Sequence, residues 1–145
     1  MIKSFAICDF EECRDLFIDV FNAPPWHDKW TVETAGKLLN ELMDNKRFLG
    51  YTLWEKDMIL GAIFCQIRTS YLGDEIRVEE LFVSPDYQCR GHGKMLMSAV
   101  EKYAKENSCG SITLLTSRRN SAFKFYEHLN FYENADLAFM CKRVV

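Results

Sequence analysis

Residues 80–94 read Glu80-Leu81-Phe82-Val83-Ser84-Pro85-Asp86-Tyr87-Gln88-Cys89-Arg90-Gly91-His92-Gly93-Lys94. An apolar strand end, Leu81-Phe82-Val83, breaks at Pro85, and the chain re-emerges as a helix through two closely spaced glycines. Gly91 and Gly93 remove side chains where the backbone must turn into that helix, which leaves successive N–H groups free to face an anion. The helix dipole adds attraction for phosphate, and Arg90 and Lys94 supply further positive charge. Two other phosphate motifs fail on spacing. Leu96 stands where G-x-G-x-x-G needs its third glycine, and no G-x-x-x-x-G-K-[ST] run occurs. A pair of glycines at a helix start is common in ordinary loops, so the weight of this stretch comes from what surrounds it.

Working outward, the pattern predicts a strand over Lys3 to Cys8 and a helix over Phe10 to Phe21, with Leu16, Phe17, Val20 and Phe21 on one face and Asp9 as N-cap. Thr31 begins a second helix to Asp44, carrying Ala35, Leu38, Leu39 and Leu42; Thr34 stands where a capping box wants Glu or Gln. Strands over Arg47 to Glu55, Met58 to Ile67 and Ile76 to Val83 form an antiparallel meander, the first two joined by a tight turn at Lys56-Asp57. A helix from Gly93 to Glu106 ends before Gly110. A strand over Ser111 to Thr116, a short helix over Ser121 to His128 and one or two closing strands over Phe131 to Arg143 complete the chain. The expected fold is mixed α/β (α+β), one domain over residues 1–145.

Composition excludes several classes. With 145 residues, 48% of them apolar and 27% charged, the chain has the make-up of an ordinary globular domain. A net charge of -3 and the lack of a Lys/Arg run argue against nucleic acid as partner. The apolar stretch from Ile59 to Cys65 is broken by Gly61 and is too short to span a membrane, and the first residues do not read as a leader. Cys8, Cys13, Cys65, Cys89, Cys109 and Cys141 show no C-x-x-C pairing, so the expectation is reduced thiols in a cytoplasmic protein that holds no metal.

The motifs resemble those of the GNAT superfamily of N-acetyltransferases. Its signature Gln/Arg-x-x-Gly-x-Gly/Ala is met by Gln88, Gly91 and Gly93, and Ala122 followed by Phe125-Tyr126-Glu127-His128-Leu129-Asn130-Phe131 is similar to its Ala-x-x-Phe-Tyr-Glu-x-x-Gly-Phe block. The resemblance implies a central, mostly antiparallel sheet whose fourth and fifth strands splay apart to admit the pantetheine arm of acetyl-CoA. It implies backbone bonds to pantetheine from Phe82 and Val83, and a pyrophosphate held by Gln88, Cys89, Arg90, Gly91, His92, Gly93 and Lys94. It also sets Phe123 and Tyr126 beside the thioester. Arg119 stands where many relatives have Asn, and Asn120, one residue later, is the candidate cofactor contact. Asn130 replaces the usual Gly, and Asn tolerates the left-handed turn required there.

The chemistry implied is direct attack of a primary amine on acetyl-CoA in a ternary complex. Tyr126 is then the acid that protonates the departing thiolate, and a strand carboxylate takes the amine's proton. Glu79 and Glu80 are the candidates, sent to opposite faces by strand alternation. Glu79 is preferred because some relatives place an acidic base four residues before the position of Val83. His27, His92 and His128 read as structural or surface residues. Trp26, Asp28 and Trp30 lie between the first two helices, where the family covers its acceptor, and suit a cationic amine by cation–π and charge contacts; the tryptophans equally suit packing of that loop. Acceptors from small amines to peptide amines stay open, as does a homodimer. The alternative function is an acyl-CoA-binding regulatory or interaction module without turnover.

Overall fold

The computed structural model describes all 145 residues, in two compact units, Met1–Leu115 and Thr116–Val145. The first holds one five-stranded sheet in the order β1-β2-β3-β4-β5: β1 (Ile2–Ser4), β2 (Phe48–Glu55), β3 (Met58–Arg68), β4 (Asp74–Val83) and β5 (Cys109–Leu114). Every pairing is antiparallel except β4 with β5, which is parallel. Three helices join them: α1 (Phe10–Phe21), α2 (Val32–Met43) and α3 (His92–Glu106). The fold class expected from the sequence, mixed with a mostly antiparallel sheet, is the one observed.

Cross-strand partners share a face, so the register sorts the core into two sides. Ala62 opposite Phe82, with Phe64, joins Cys13, Phe17 and Val20 of α1 and Ala35, Leu39 and Leu42 of α2 in one apolar cluster. Gly61, opposite Val83, faces the other way toward Leu96 of α3, which also buries Met97, Val100 and Ala104. A Cβ on Gly61 would come within 2.8 Å of the Phe82 carbonyl oxygen, so only glycine allows these strands their spacing.

Several local expectations need correction. The first strand is only Ile2–Ser4, because Ile7–Asp9 forms a one-turn 3-10 segment that already leads into α1. Asp9 stands at the N-cap of α1 but makes no capping bond; its carboxylate is buried beside Lys3, Oδ2 lying 3.3 Å from Nζ. Thr31 and Thr34, by contrast, form a complete capping box on α2. The Thr34 N–H donates to the Thr31 hydroxyl (3.1 Å), and the Thr31 N–H to the Thr34 hydroxyl (2.9 Å), so a threonine does the work usually given to Glu.

The fifth strand starts at Cys109, two residues earlier than the periodicity suggested. Ser108, with φ 56, takes the left-handed turn after α3, ahead of Gly110. Gly110 is glycine for another reason: a Cβ there would sit 2.8 Å from the carbonyl oxygen of Leu72, in the β3–β4 connection.

The second unit consists of α4 (Ser121–His128) and a tail. Asn130 has φ 68, the left-handed conformation expected of it. The closing strands expected over Phe131 to Arg143 are not formed. An Asx turn takes the backbone instead, with the Asp136 N–H donating to Asn134 Oδ1 (3.0 Å) and the Leu137 N–H to the Asn134 carbonyl (3.2 Å). Local bonds of this kind compete with a ladder, and Leu137, Phe139 and Met140 stay exposed.

Candidate active site

The parallel pairing of β4 with β5 runs from Asp74 opposite Cys109 to Val78 opposite Leu114 and stops there. From Glu79 to Val83, β4 keeps β3 on one side only, and its other edge presents main-chain N–H and C=O groups that no strand pairs, the Val83 carbonyl being shared with the Gln88 amide, to any extended ligand. The register opposite β3 also slips at this point, since Phe64 pairs with Glu80 and Cys65 with Val78. Glu79 is thus the extra residue of a β-bulge, and the simple alternation that assigned Glu79 and Glu80 to opposite faces does not hold through it.

Beyond Val83 the chain turns in four bonded steps. The Ser84 N–H donates to Leu60 O (2.7 Å), Pro85–Tyr87 forms a 3-10 turn closed by Tyr87 N–H to Ser84 O (2.8 Å), and Gln88 Nε2 donates back to Val83 O (3.0 Å). His92 Nδ1 lies 2.8 Å from the Tyr87 carbonyl; a carbonyl only accepts, so Nδ1 carries the hydrogen. The Tyr87 ring meets His92 edge-on, and the Arg90 guanidinium stacks 5.5 Å from its centroid. These side chains brace the loop, and His92 has the structural role in it that its reading as a structural or surface residue allows.

Within this brace, Cys89 (φ 62) and Gly91 (φ 83) are both left-handed. Gly91 is the N-cap of α3, no side chain caps the helix, and the first helical bond runs from Met95 N–H to Gly91 O (3.0 Å). The N–H groups of the first turn therefore have no partner within the helix. A Cβ on Gly91 would find nothing within 4 Å, so the space above the loop is open. An open cradle of main-chain donors at a helix N-terminus, continuous with a bare strand edge, fits a pyrophosphate attached to an extended amide-containing arm, as in coenzyme A.

Glu80 stands on the α1–α2 face, opposite Phe64 and two residues before Phe82. Burial, then the charges of Glu79 and Asp28, push its carboxyl up to about 8. Phe82 is enclosed by Phe17 (5.5 Å between centroids), Phe21 (6.1 Å) and Phe64 (6.2 Å). The loop between α1 and α2 rests on these rings, Trp26 against Phe21 at 5.2 Å and Trp30 against Phe17 at 5.1 Å. Asn22 clamps it: its Nδ2 donates to Trp30 O (2.9 Å) and its Oδ1 accepts from the Trp30 N–H (2.8 Å). Trp30 Nε1 in turn donates to Asp28 Oδ2 (3.0 Å). Packing of the loop is thus the visible role of both tryptophans, while Asp28 stays exposed and, with Lys29, Trp30 and Thr34, lines a shallow depression.

In the second unit, Asn120 is the N-cap of α4 without a side-chain capping bond, and its carbonyl accepts from the Phe123 N–H (3.1 Å). Tyr126 packs edge-on against Phe125 (5.1 Å) and Phe131 (5.6 Å). His27 and His128 are exposed, and no group of three side chains is arranged to hold a metal ion.

The open strand edge and the anion cradle together have the geometry of a coenzyme A site. Residues 10–131 match the model of the acetyltransferase (GNAT) family, and the chain belongs to that family. It is an acetyltransferase with acetyl-CoA as its acyl donor. The chain is 28% identical over 133 residues to a [ribosomal protein bS18]-alanine N-acetyltransferase of Haemophilus influenzae, covering 92% of this chain and 82% of that one. Its fold resembles the aminoglycoside 6'-N-acetyltransferase AAC(6')-IG of Acinetobacter haemolyticus (TM-score 0.78, 18% identity, 100% and 99% of the two chains). It also resembles the aminoglycoside N-acetyltransferase AAC(6')-Iy in complex with CoA (TM-score 0.79, 21% identity, 99% and 95%). No helix is long and apolar enough to cross a membrane.

Proposed function

We propose that the protein transfers acetyl from acetyl-CoA to a primary amine by direct attack, in a ternary complex, as one cytoplasmic catalytic domain over residues 1–145. The observation that carries this reading is the continuity of the bare β4 edge, Glu79 to Val83, with the open cradle at Gly91, since Glu80 lies on that same strand segment. Bound acetyl-CoA supplies an activated thioester carbonyl. Val83 offers main-chain bonds to its pantetheine, the Gln88 amide taking one lone pair of the Val83 carbonyl and leaving the other. The Phe82 carbonyl, by contrast, points to β3 beside Gly61, and Phe82 lines the site by its ring. Residues Gln88 to Lys94 hold the pyrophosphate by their main-chain N–H groups, and Asn120 and Phe123 are further cofactor contacts, assigned on the family resemblance.

An ammonium has no lone pair with which to attack, so the acceptor must lose a proton first. Of the two strand carboxylates, we assign this base role to Glu80 in place of Glu79. Its half-buried position and raised pKa suit a group that exchanges a proton near neutral pH, whereas Glu79 is exposed. Tyr126 is assigned the acid role on the family resemblance, and Trp26, Asp28 and Trp30 border the acceptor, Asp28 as its counter-charge. The named relatives act on an alanine of a ribosomal protein and on aminoglycosides, and both a peptide amine and a small-molecule amine fit a site bordered by carboxylates. A panel of amines and peptides, followed by release of free CoA thiol, tests the reading. Turnover with at least one amine, reduced more by Glu80→Gln than by Glu79→Gln, is the expected result; acetyl-CoA binding with no transfer to any amine, or the reverse order of the variants, overturns it.

A further inference from the structure

His92 is the first residue of α3, and its two hydrogen-bonding groups are in different states. The side chain is tied down: Nδ1–H donates to the Tyr87 carbonyl at 2.8 Å, and the ring meets Tyr87 edge-on at 5.9 Å between centroids. In the neutral imidazole Nε2 is then the nitrogen without a hydrogen. The main-chain N–H has no partner, because no side chain caps the helix and the helical bonds begin at Met95. An anion bonded to that N–H lies within roughly 8 Å of the imidazole of the same residue, whichever way the ring is turned. The charges around the ring are mostly positive. Arg90, stacked over Tyr87, stands two residues before it and Lys94 two residues after, and the N-terminal end of α3 adds a partial positive charge. The 3-10 turn packed against the ring contributes Asp86 and Tyr87, the loop contributes Cys89, and Met95 and Leu96 on α3 carry no charge. None of Asp86, Arg90, His92 and Lys94 is in an ion pair. A proton on His92 thus joins like charges in the free protein and meets opposite charge once a pyrophosphate is bound.

We propose that the His92 side chain is a proton-linked phosphate contact: CoA binding draws a proton from bulk water onto Nε2, and the imidazolium then opposes the pyrophosphate charge while Nδ1 keeps its bond to Tyr87. This goes beyond the main-chain cradle and rests on the seat assigned to the pyrophosphate at Gln88 to Lys94. The protein with neutral His92, CoA and one proton from water give the complex with His92 protonated, and no bond of the cofactor is made or broken. Binding and protonation favour each other, so CoA affinity rises as pH falls through about 8 to 5, the range in which imidazoles take up a proton. The brace tolerates both states, since Nδ1 carries its hydrogen in each.

Dephospho-CoA is the probe for the test, because its pyrophosphate keeps its charge over this range, whereas the 3'-phosphate of CoA itself titrates at about 6. His92→Asn is the informative variant: its side-chain amide still offers a donor to the Tyr87 carbonyl but gains no charge. Calorimetry should give the wild type a roughly threefold to tenfold tighter Kd at pH 6 than at pH 8, the size expected for a cation several ångströms from a dianion near the surface. His92→Asn should show a much smaller change. Titrations near pH 7 in buffers of different ionisation enthalpy should count proton uptake by the wild type and less by the variant. Glu80, whose carboxyl at about 8 titrates in the same range, is common to both proteins, so the difference between them belongs to His92. Should the variant misfold, the wild type decides. The chain has three histidines, and with His92 assigned by elimination in His27→Gln and His128→Gln, its ring proton resonances should move toward the imidazolium positions when dephospho-CoA is added at pH 7. Equal pH dependence in the two proteins, or ring resonances that do not move that way, would overturn the proposal and leave the pyrophosphate seat in place. Failure of dephospho-CoA to bind would overturn both.

Discussion

The side-chain amide of Gln88 reaches five residues back along the chain and donates to the carbonyl of Val83 at 3.0 Å. It ties the last residue of the bare strand edge to the first residue of the anion cradle, so the two parts of the cofactor site are held in one geometry. Gln88→Ala should leave the fold intact and weaken CoA binding by roughly tenfold, about the strength of one hydrogen bond. Calorimetry with CoA measures it, and an unchanged Kd would mean that the loop holds its shape without the tie.

Gly91→Ala should weaken CoA binding for a different reason. Its Cβ meets nothing, so the effect comes from φ 83, which costs an L-residue roughly 1–2 kcal/mol. The variant should lose five- to thirtyfold in CoA affinity, on the order expected if that strain is relieved by distorting the loop. Thermal unfolding of the variant separates this from global instability, since the cradle lies outside the core.

Glu80 should make stability depend on pH. Its carboxyl titrates at about 8 in the folded protein against 4.5 in the unfolded chain, so between those values the folded state binds the extra proton. Folding stability should accordingly decline as pH rises from about 4.5 through 8 and level off above, by up to a few kcal/mol in total. Urea unfolding at intervals from pH 5 to 9 should show that slope in the wild type and its absence in Glu80→Gln, which should be the more stable protein at the alkaline end.

Thr34→Ala removes the hydroxyl that returns the Thr31 N–H bond in the α2 capping box. A loss of about 1 kcal/mol is expected, with Thr34→Glu restoring it through the usual reciprocal pairing. Denaturant midpoints of the three proteins provide the check.

Tyr126→Phe should lower kcat while leaving the Kd for CoA nearly unchanged, because the ring that packs on Phe125 and Phe131 remains and only the hydroxyl is lost. Equal kcat over the whole pH range would remove Tyr126 from the reaction.

Much of this architecture is legible in the chain itself, because long periodic segments state their own structure. The helix over Phe10 to Phe21 and the stripe of Leu96, Met97, Val100 and Ala104 need only period 3.6, and the glycines at 91 and 93 announce a turn into a helix that the backbone then makes. What the pattern does not state is tertiary. Gly110 reads as a helix stop until the Leu72 carbonyl is found beside it. The bulge at Glu79 appears only once the register of β3 against β4 is known, and with it the reason Glu79 and Glu80 cannot be separated by counting. The Phe131 to Arg143 segment has the composition of a strand, but composition does not supply a neighbour to pair with, and Asn134 makes a local turn instead. Asp28 drew attention for its charge, whereas its bond from Trp30 Nε1 needs a loop folded back onto the aromatic cluster.

The close approach of Gly110 to Leu72 also bears on where the cleft begins. The near end of β5 is pinned where no side chain fits, and its five paired positions alongside β4 end at Leu114. The two strands are therefore held together from the Gly110 end as far as Leu114, and β4 is free of β5 only beyond Val78. A bulkier residue at Gly110 would press on the Leu72 carbonyl and disturb that ladder from a point well away from the thioester, so it should alter catalysis without touching any group that takes part in it.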